Sequence, residues 1–139
     1  MILQTDSRMR DEIDKWGCYY MSLCFLANKY TGIELSAEDL NDRIYNQLIQ
    51  HGLMKETCWI RDPVGILNYL GLRCDSVGVY EPVTHALKDN EFQILRFKGK
   101  DISHFVVGTR SNECAYDPYG VSQAVETGEL KAQRVFRRL

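Results

Sequence analysis

The sequence predicts an α+β fold in which N-terminal helices pack on a mainly antiparallel sheet of about four to five strands. Helical patterns with recognisable caps fill the first half of the chain, whereas short strand-like runs separated by turn residues fill the second half. The 139 residues contain no internal repeat, low-complexity tract or linker, and their number is typical of one domain. We therefore expect a single domain over residues 1–139.

Three helices are predicted in the first half. The first covers residues 16–32 and ends at a glycine, which readily adopts the left-handed conformation that ends helices. The second covers residues 36–52 and opens with Ser-Ala-Glu-Asp, a capping box in which Asp replaces the usual Glu. The third covers residues 62–71 and opens with an Asp-Pro pair, which suits an N-cap and a first helical turn.

Strands are predicted in the second half. Residues 73–80 and 92–97 have strand-like patterns, and a short helix is expected between them over residues 82–88. The last strand of the chain is locally basic, and we interpret it as a solvated edge strand rather than as a nucleic-acid surface. Its basic residues are Lys131, Arg134, Arg137 and Arg138.

A hairpin in the second half brings polar residues together. If its turn is centred between Arg110 and Ser111, the numbers of opposed residues sum to 221, so His104 faces Asp117. Small residues fill the rest of that face and leave room for a cleft, whereas the opposite face is apolar. The small residues are Val106, Gly108 and Ala115, and the apolar face holds Phe105, Val107, Cys114 and Tyr116. An odd-numbered loop would turn Asp117 to the wrong face.

Cys18, His104 and Asp117 are the three groups that a cysteine hydrolase needs. A thiol attacks a carbonyl as the thiolate, which an imidazolium and a helix N-terminus both stabilise, and Cys18 lies near the start of the first predicted helix. His104 would take the thiol proton and return it to the leaving amine, while Asp117 would fix the imidazole tautomer. The backbone N–H of Cys18 would donate to the oxyanion, and Gly17 would let the substrate approach closely.

The other residues that bear chemistry are expected to be structural. Five cysteines without a secretory signal favour free thiols, and no spacing typical of a metal site is present, so neither a metal nor a cofactor is expected. His51 and His85 are interpreted as structural.

Charge and hydrophobicity exclude two classes of partner. The net charge of −2 gives no general nucleic-acid footprint, so no nucleic-acid partner is expected. No stretch approaches the ~18 apolar residues of a membrane span, so no membrane insertion is expected. The N-terminus lacks the pattern of a signal peptide, which predicts synthesis in a cytoplasm.

Four motifs together resemble papain-like cysteine peptidases of the bacteriocin-processing type and their stand-alone bacterial and phage relatives. They are Gln-Thr-Asp at residues 4–6, Cys-Tyr-Tyr-Met-Ser-Leu at 18–23, His-Phe-Val-Val-Gly at 104–108 and Asp-Pro-Tyr-Gly at 117–120. The resemblance implies a papain-like fold with its cleft between the cysteine helix and the sheet. It also implies that the Gln4 side chain is the second oxyanion donor.

Two features depart from the pattern of that family. The interval from Gln4 to Cys18 is longer than in papain-like enzymes, and Gly17-Cys18-Tyr19 stands where many relatives have Cys followed by Gly. The polar residues 7–15 are expected to form a loop excursion that brings Gln4 back to the cleft. We expect Trp16, Gly17, Trp59 and Tyr119 to line this cleft, although ordinary core packing is the alternative for the aromatic residues.

The resemblance implies hydrolysis of amide bonds in a peptide or peptidoglycan substrate. A phage endolysin or a cell-wall-directed effector fits this size, and such an enzyme would reach the wall with an export helper such as a holin. A cytoplasmic processing protease that acts on a protein or a leader peptide is the enzymatic alternative. An inactive papain-like module that binds or inhibits another protein is the non-enzymatic one. The same triad chemistry serves peptidases, amidases, transpeptidases and acyltransferases.

Overall fold

A computed structural model describes residues 1–139. The first half is helical and the second half contains the sheet. The helices of the first half are α1 (Asp11–Trp16), α2 (Cys18–Thr31), a π-helical segment (Asp39–Arg43) that continues into α3 (Ile44–Gln50), and α4 (Pro63–Tyr69). The second half contains β1 (Cys74–Tyr80), β2 (Glu91–Lys98), β3 (Ser103–Gly108), β4 (Cys114–Tyr116), α5 (Gln123–Thr127) and β5 (Glu129–Arg138).

The five strands form one antiparallel sheet in the order β1-β5-β2-β3-β4. The α+β class, the helical first half and the antiparallel sheet are therefore as predicted. The interpretation of the last strand as an edge strand is wrong, because β5 lies between β1 and β2 and pairs with both. Side-chain pattern alone did not distinguish an edge strand from a strand with two neighbours.

The predicted helix signals act as expected. Helix α2 ends at Gly32, which has a φ of 74°. Ser36 and Asp39 form the capping box, since each side chain accepts a hydrogen bond from the backbone N–H of the other, at 3.1 and 3.2 Å. Asp62 caps α4 by accepting a hydrogen bond from the Gly65 backbone N–H at 2.8 Å.

Two segments differ from the prediction. The expected excursion over residues 7–15 contains α1, which is stabilised by acidic residues in its first turn, Lys15 in its last turn and the burial of Ile13. The helix expected over residues 82–88 is absent. Backbone N–H groups of this segment, those of Thr84 and His85, donate instead to the Gln133 side chain, at 3.0 and 2.7 Å.

Both faces of the sheet are covered. Helix α2 lies on one face and is buried along most of its length, within the main hydrophobic cluster. Stacked rings join this helix to the sheet, with centroid distances of 4.5 Å for Tyr19 and Phe105 and 4.3 Å for Phe25 and Tyr116. The opposite face carries a smaller cluster beneath α5, formed by Leu95, Phe97, Val106 and Ala124. None of the helices combines the length and hydrophobicity needed to cross a bilayer.

The loop between β3 and β4 is longer than predicted. The backbone N–H of Thr109 donates to the Glu113 carbonyl at 2.7 Å, so three residues lie between these two. The last of the three, Asn112, has a φ of 65°, the left-handed conformation that is common in three-residue hairpin loops. The prediction of a turn centred between Arg110 and Ser111 is therefore wrong.

A bulge in the same hairpin adds a second one-residue shift. The observed pairs are Gly108 with Cys114 and Val107 with Tyr116. The numbers of opposed residues thus sum to 222 and then to 223, instead of the predicted 221. Ala115 is the extra residue of β4. Because side chains alternate with a period of two, the combined shift of two residues keeps Asp117 on the face where the prediction put it.

The extra loop residue also changes the face on which Cys114 lies. Cys114 was expected on the apolar face with Phe105, but it packs against the smaller cluster beneath α5. Val106 is fully buried in that cluster, so the face of β3 that carries it is filled rather than open. The prediction of a cleft along this face is wrong, and the cleft described below is lined from β3 by Ser103 and Phe105.

Candidate active site

Cys18 is the first residue of α2 and lies half-buried at the wall of a cleft. As the first residue of the helix, it has a backbone N–H that the helix does not use, and it lies at the positive end of the helix dipole. Gly17 precedes it as N-cap and does not line the cleft. The space at Gly17 is taken by α1, since a Cβ there would lie 2.5 Å from the Ile13 carbonyl oxygen. Its expected role in substrate approach is therefore replaced by a packing role.

His104 and Asp117 form a buried hydrogen-bonded pair. His104 Nε2 lies 2.6 Å from Asp117 Oδ1, and the His104 side chain is completely inaccessible to solvent. The predicted contact between these residues is present, although the register that predicted it is not. Strand β4 pairs only with the last residues of β3, so the edge of β3 beside His104 is free of a strand and the segment after β4 reaches it.

The electrostatic setting of the pair favours an ion pair. Burial of the imidazole disfavours its charged form, but the hydrogen bond to Asp117 and the nearby Cys18 outweigh burial and raise the pKa of His104 to about 9. Burial likewise opposes ionisation of Asp117, yet His104, the Ser122 hydroxyl and a backbone N–H together hold the pKa of Asp117 below its usual value. His104 is therefore protonated and Asp117 ionised near neutral pH.

The segment after β4 fixes the position of Asp117. Residues 117–120 form a turn in which the Gly120 backbone N–H donates to the Asp117 carbonyl at 2.7 Å. The Tyr119 backbone N–H donates to Asp117 Oδ1 at 2.8 Å, so this oxygen accepts two hydrogen bonds. The Tyr119 ring stacks on the His104 imidazole, with centroids 4.4 Å apart and planes 4° apart. The imidazole is thus held both along its edge and on one face.

The cleft has a volume of about 490 Å³ and is mainly aromatic and apolar. Trp16, Trp59 and Tyr119 line it as predicted, and Trp16 and Trp59 are 52% and 67% exposed at its rim. Large aromatic side chains left in solvent beside a nucleophile candidate form a surface suited to binding another molecule. No group of three or more His, Cys, Asp or Glu side chains is arranged to hold a metal ion.

Gln4 is fully buried, but its amide is engaged elsewhere. Its Nε2 donates to the carbonyl oxygens of Ile13 and Asp14, at 3.1 and 2.9 Å. These carbonyls lie near the end of α1, and although the Ile13 carbonyl also accepts from the Gly17 backbone N–H, both are bound by Gln4, which therefore caps α1. With both amide hydrogens used in this way, Gln4 offers no free donor to an oxyanion, and its catalytic role remains a prediction.

The remaining four cysteines are in a different environment. Burial raises the pKa of Cys58 to about 12 and that of Cys74 and Cys114 to about 11. Burial also raises the pKa of the fully buried Cys24 thiol. These thiols are protonated at neutral pH and therefore poor nucleophiles, and all five cysteines are free.

Two residues near the site were not predicted. Ser22 Oγ donates to the Cys18 carbonyl at 2.8 Å and approaches the Phe105 carbonyl at 3.4 Å, so it joins the first turn of α2 to β3. Its position four residues after Cys18 is a signal that sequence reasoning could have used. Arg134 lines the cleft from β5 and was interpreted only as part of a basic strand. Its placement depends on the strand order, for which the sequence offered no signal.

Four buried side-chain atoms have no hydrogen-bond partner in the structure, and all belong to residues discussed above. They are Gln4 Oε1, His104 Nδ1, Asp117 Oδ2 and Arg134 Nη1. Buried polar atoms without partners are rare in folded proteins and are costly. Three of the four residues are the His104–Asp117 pair and Arg134 of the cleft lining.

The fold and this cluster define an α+β protein with a cysteine and a histidine–aspartate pair beside an aromatic cleft. The chain belongs to the family described as "Protein of unknown function, DUF261", whose model matches residues 1–138. No curated protein and no solved structure matches this chain.

Proposed function

We propose that this protein is a papain-like cysteine hydrolase that cleaves amide bonds. The observation that carries the proposal is that Tyr119 connects the two parts of the site: its ring stacks on His104 of the buried His104–Asp117 pair and lines the same cleft as Cys18. A nucleophile, a base and a group that orients the base are the minimal set for covalent catalysis of acyl transfer.

The hydrogen bonds assign a role to each nitrogen of His104. Asp117 accepts from Nε2, so Nδ1 is the nitrogen left for the thiol, and it has no other partner. Nδ1 makes no hydrogen bond in this structure, although Cys18 is among the groups that raise the pKa of His104. Such contacts are often long in free enzymes and shorten when substrate binds.

The reaction then follows in two steps. The reaction starts from the form of the enzyme in which His104 is protonated and Cys18 is the thiolate, and the thiolate sulfur attacks the carbonyl carbon of the substrate. His104 gives its proton to the leaving amine, which yields a thioester, and water activated by His104 hydrolyses that thioester. The unused backbone N–H of Cys18 and the N-terminus of α2 stabilise the negative charge on the carbonyl oxygen.

The sheet and helix arrangement supports the papain-like part of the proposal. A helix that begins at the cysteine packs on an antiparallel sheet whose strands supply the histidine and lead into the aspartate turn. The substrate rests on the resemblance of the motifs: the peptide part of peptidoglycan, cut by a phage endolysin or a wall-directed effector that is made in a cytoplasm and released with a holin-like helper.

Digestion of purified peptidoglycan sacculi tests the proposal. We expect wild type to release fragments with new amine and carboxyl ends, detected by mass spectrometry, and Cys18→Ala to release none. Cys114→Ala is the matched control, because Cys114 is the other half-exposed cysteine and packs away from the cleft. Activity retained by Cys18→Ala would overturn the assignment of the nucleophile. No release by wild type would overturn the wall substrate and direct the search to proteins.

A further inference from the structure

Arg134 is a charged residue in the cleft for which the proposed mechanism has no use. It projects from the central part of β5, opposite Ile94 of β2, and lines the same cleft as Cys18. Its guanidinium lies over two aromatic rings, 4.7 Å from the centroid of Phe105 and 5.4 Å from that of Tyr19. Cation–π attraction to these rings stabilises the guanidinium at this place in the cleft and uses none of its N–H donors.

The guanidinium has no counter-charge. Arg134 takes part in none of the ion pairs of the structure, and its Nη1 is buried without a hydrogen-bond partner. The cleft lining contains no aspartate or glutamate, and Lys15 is its only other charged residue. The cleft is therefore cationic and aromatic, within a protein whose net charge is −2.

Arg134 is only partly buried, but its Nη1 is buried without a hydrogen-bond partner, and a bound anion would satisfy this donor. The planar fork of arginine matches a carboxylate, to which it donates two parallel hydrogen bonds. A carboxylate that reaches Arg134 would lie in the same cleft as the Cys18 thiol, beside the aromatic wall.

We propose that the cleft binds substrates that carry a carboxylate close to the scissile amide, and that Arg134 is the residue that pairs with this carboxylate. The inference rests on the proposed hydrolase function and specifies its substrate class. The carboxylate is either an acidic side chain or the free C-terminus of a peptide, since both present the same group.

Alkylation of Cys18 tests the site without requiring a known substrate. Iodoacetate carries a carboxylate and iodoacetamide does not, and both consume the same thiolate, so the ratio of their rates at Cys18 reports the charge of the site. Mass spectrometry would read the modification at Cys18 specifically. We expect Arg134→Gln to lower the iodoacetate-to-iodoacetamide ratio about tenfold, as expected for the loss of a charged hydrogen bond.

Two further variants make the experiment specific. Arg134→Lys keeps the charge but not the fork, so its ratio should fall between those of wild type and Arg134→Gln. Arg137→Gln is the matched control, because Arg137 is an exposed residue of the same strand that pairs with Asp75, and its ratio should equal that of wild type. Thermal unfolding of each variant checks that the fold is retained.

The outcomes separate the two proposals. If iodoacetamide at about pH 6 alkylates Cys18 no faster than free cysteine, whose thiol is almost wholly protonated there, the proposed function fails and the inference falls with it. If Cys18 is reactive but the iodoacetate-to-iodoacetamide ratio is the same in wild type and Arg134→Gln, only the proposal of a carboxylate site is overturned.

Matched peptides identify the source of the carboxylate. Pairs that differ only by Glu or Gln test the side chain, and pairs with a free or an amidated C-terminus test the chain end. The preferred member should lose about tenfold or more in kcat/KM with Arg134→Gln, mainly through KM, because the carboxylate does not react and is bound equally in the substrate and the transition state. Equal turnover within both pairs by wild type would contradict the inference.

Discussion

Asp117 restrains His104 through a carboxylate oxygen that is itself restrained. Oδ1 accepts from the imidazole and from the Tyr119 backbone, so rotation of the carboxylate would break two hydrogen bonds at once. The stacked Tyr119 ring prevents the imidazole from tilting toward that side. The result is an imidazole with one orientation, which is the form of preorganisation that proton transfer needs.

The high pKa of His104 predicts the alkaline limit of activity. The reaction needs a protonated His104 to supply the leaving amine, so kcat/KM should fall as pH rises through about 9, where His104 loses its proton. Asp117→Asn removes a carboxylate that raises this pKa, so the falling limb should move to lower pH. The full pH profile of both proteins measures the shift. A limb at the same pH in both would mean that Asp117 does not set the protonation of His104.

The role of Gln4 can be determined by measuring the effects of its substitution on stability and on turnover separately. The observed hydrogen bonds to α1 predict that Gln4→Ala lowers the free energy of unfolding by about 1–3 kcal/mol, because two helix-end carbonyls lose a buried donor. Turnover of the folded variant should change little. Loss of an oxyanion donor would instead lower kcat by about 10²–10³. Urea unfolding together with kcat distinguishes the two roles, and a large loss of kcat without a loss of stability would restore the original prediction.

Most of the candidate site residues could be predicted because each is recognisable from its neighbours in the sequence. A cysteine at a helix start, a histidine on a strand and an aspartate in a Pro-Gly turn are recognisable by their sequence context. The structure joins His104 to Asp117 and places Cys18 in the cleft that Tyr119 lines. Arg134 could not be recognised, because only the strand order decides that a basic residue near the end of the chain faces the cleft.

At the level of secondary-structure elements, α1 fixes the start of α2 and with it the position of Cys18. Helix α1 ends one residue before α2 begins, and the Gly17 backbone N–H donates to the Ile13 carbonyl at 2.8 Å. The two helices therefore meet at a junction with no room for a side chain. Sequence analysis missed α1 because this six-residue helix has four charged residues and a single buried one, Ile13, and so resembles a loop.

Gly17→Ala should disturb this junction. The new Cβ would lie 2.5 Å from a backbone oxygen and 2.8 Å from the Ile13 side chain, so the backbone must move. We expect a loss of about 1–3 kcal/mol in the free energy of unfolding, measured in urea. Gly99→Ala is the control, because the nearest atoms to a Cβ there lie at 3.4 Å, which is ordinary contact. Equal stability of the two variants would mean that the junction adapts without cost.

On the scale of the whole molecule, β5 holds the sheet together. Strand β1 has no strand neighbour other than β5, and β2 pairs with β5 along its whole length. The last strand in sequence is thus required before β1 can join the sheet. Pairings between distant parts of a chain leave no local pattern, which is why the strands could be predicted but their order could not.

Truncation tests the role of β5. A chain that ends at Gly128 loses this strand, and we expect it to show no cooperative unfolding transition and no near-ultraviolet circular dichroism. Removal of Leu139 alone is the control, since its side chain is 70% exposed and it contributes one backbone hydrogen bond to Arg73, worth about 1 kcal/mol. A truncated chain that still unfolds cooperatively would show that the remaining strands form a stable sheet by themselves.

In the hairpin between β3 and β4, the extra loop residue and the bulge together keep Asp117 on the side of His104. This arrangement limits the insertions and deletions that relatives can carry in this hairpin. Loss of Ala115, or of one loop residue, would by itself rotate Asp117 to the opposite face and separate it from His104. Two such changes together would restore the contact. Relatives that keep the histidine–aspartate pair should therefore differ in this hairpin by even numbers of residues, and a relative that differs by an odd number should also lack the acid.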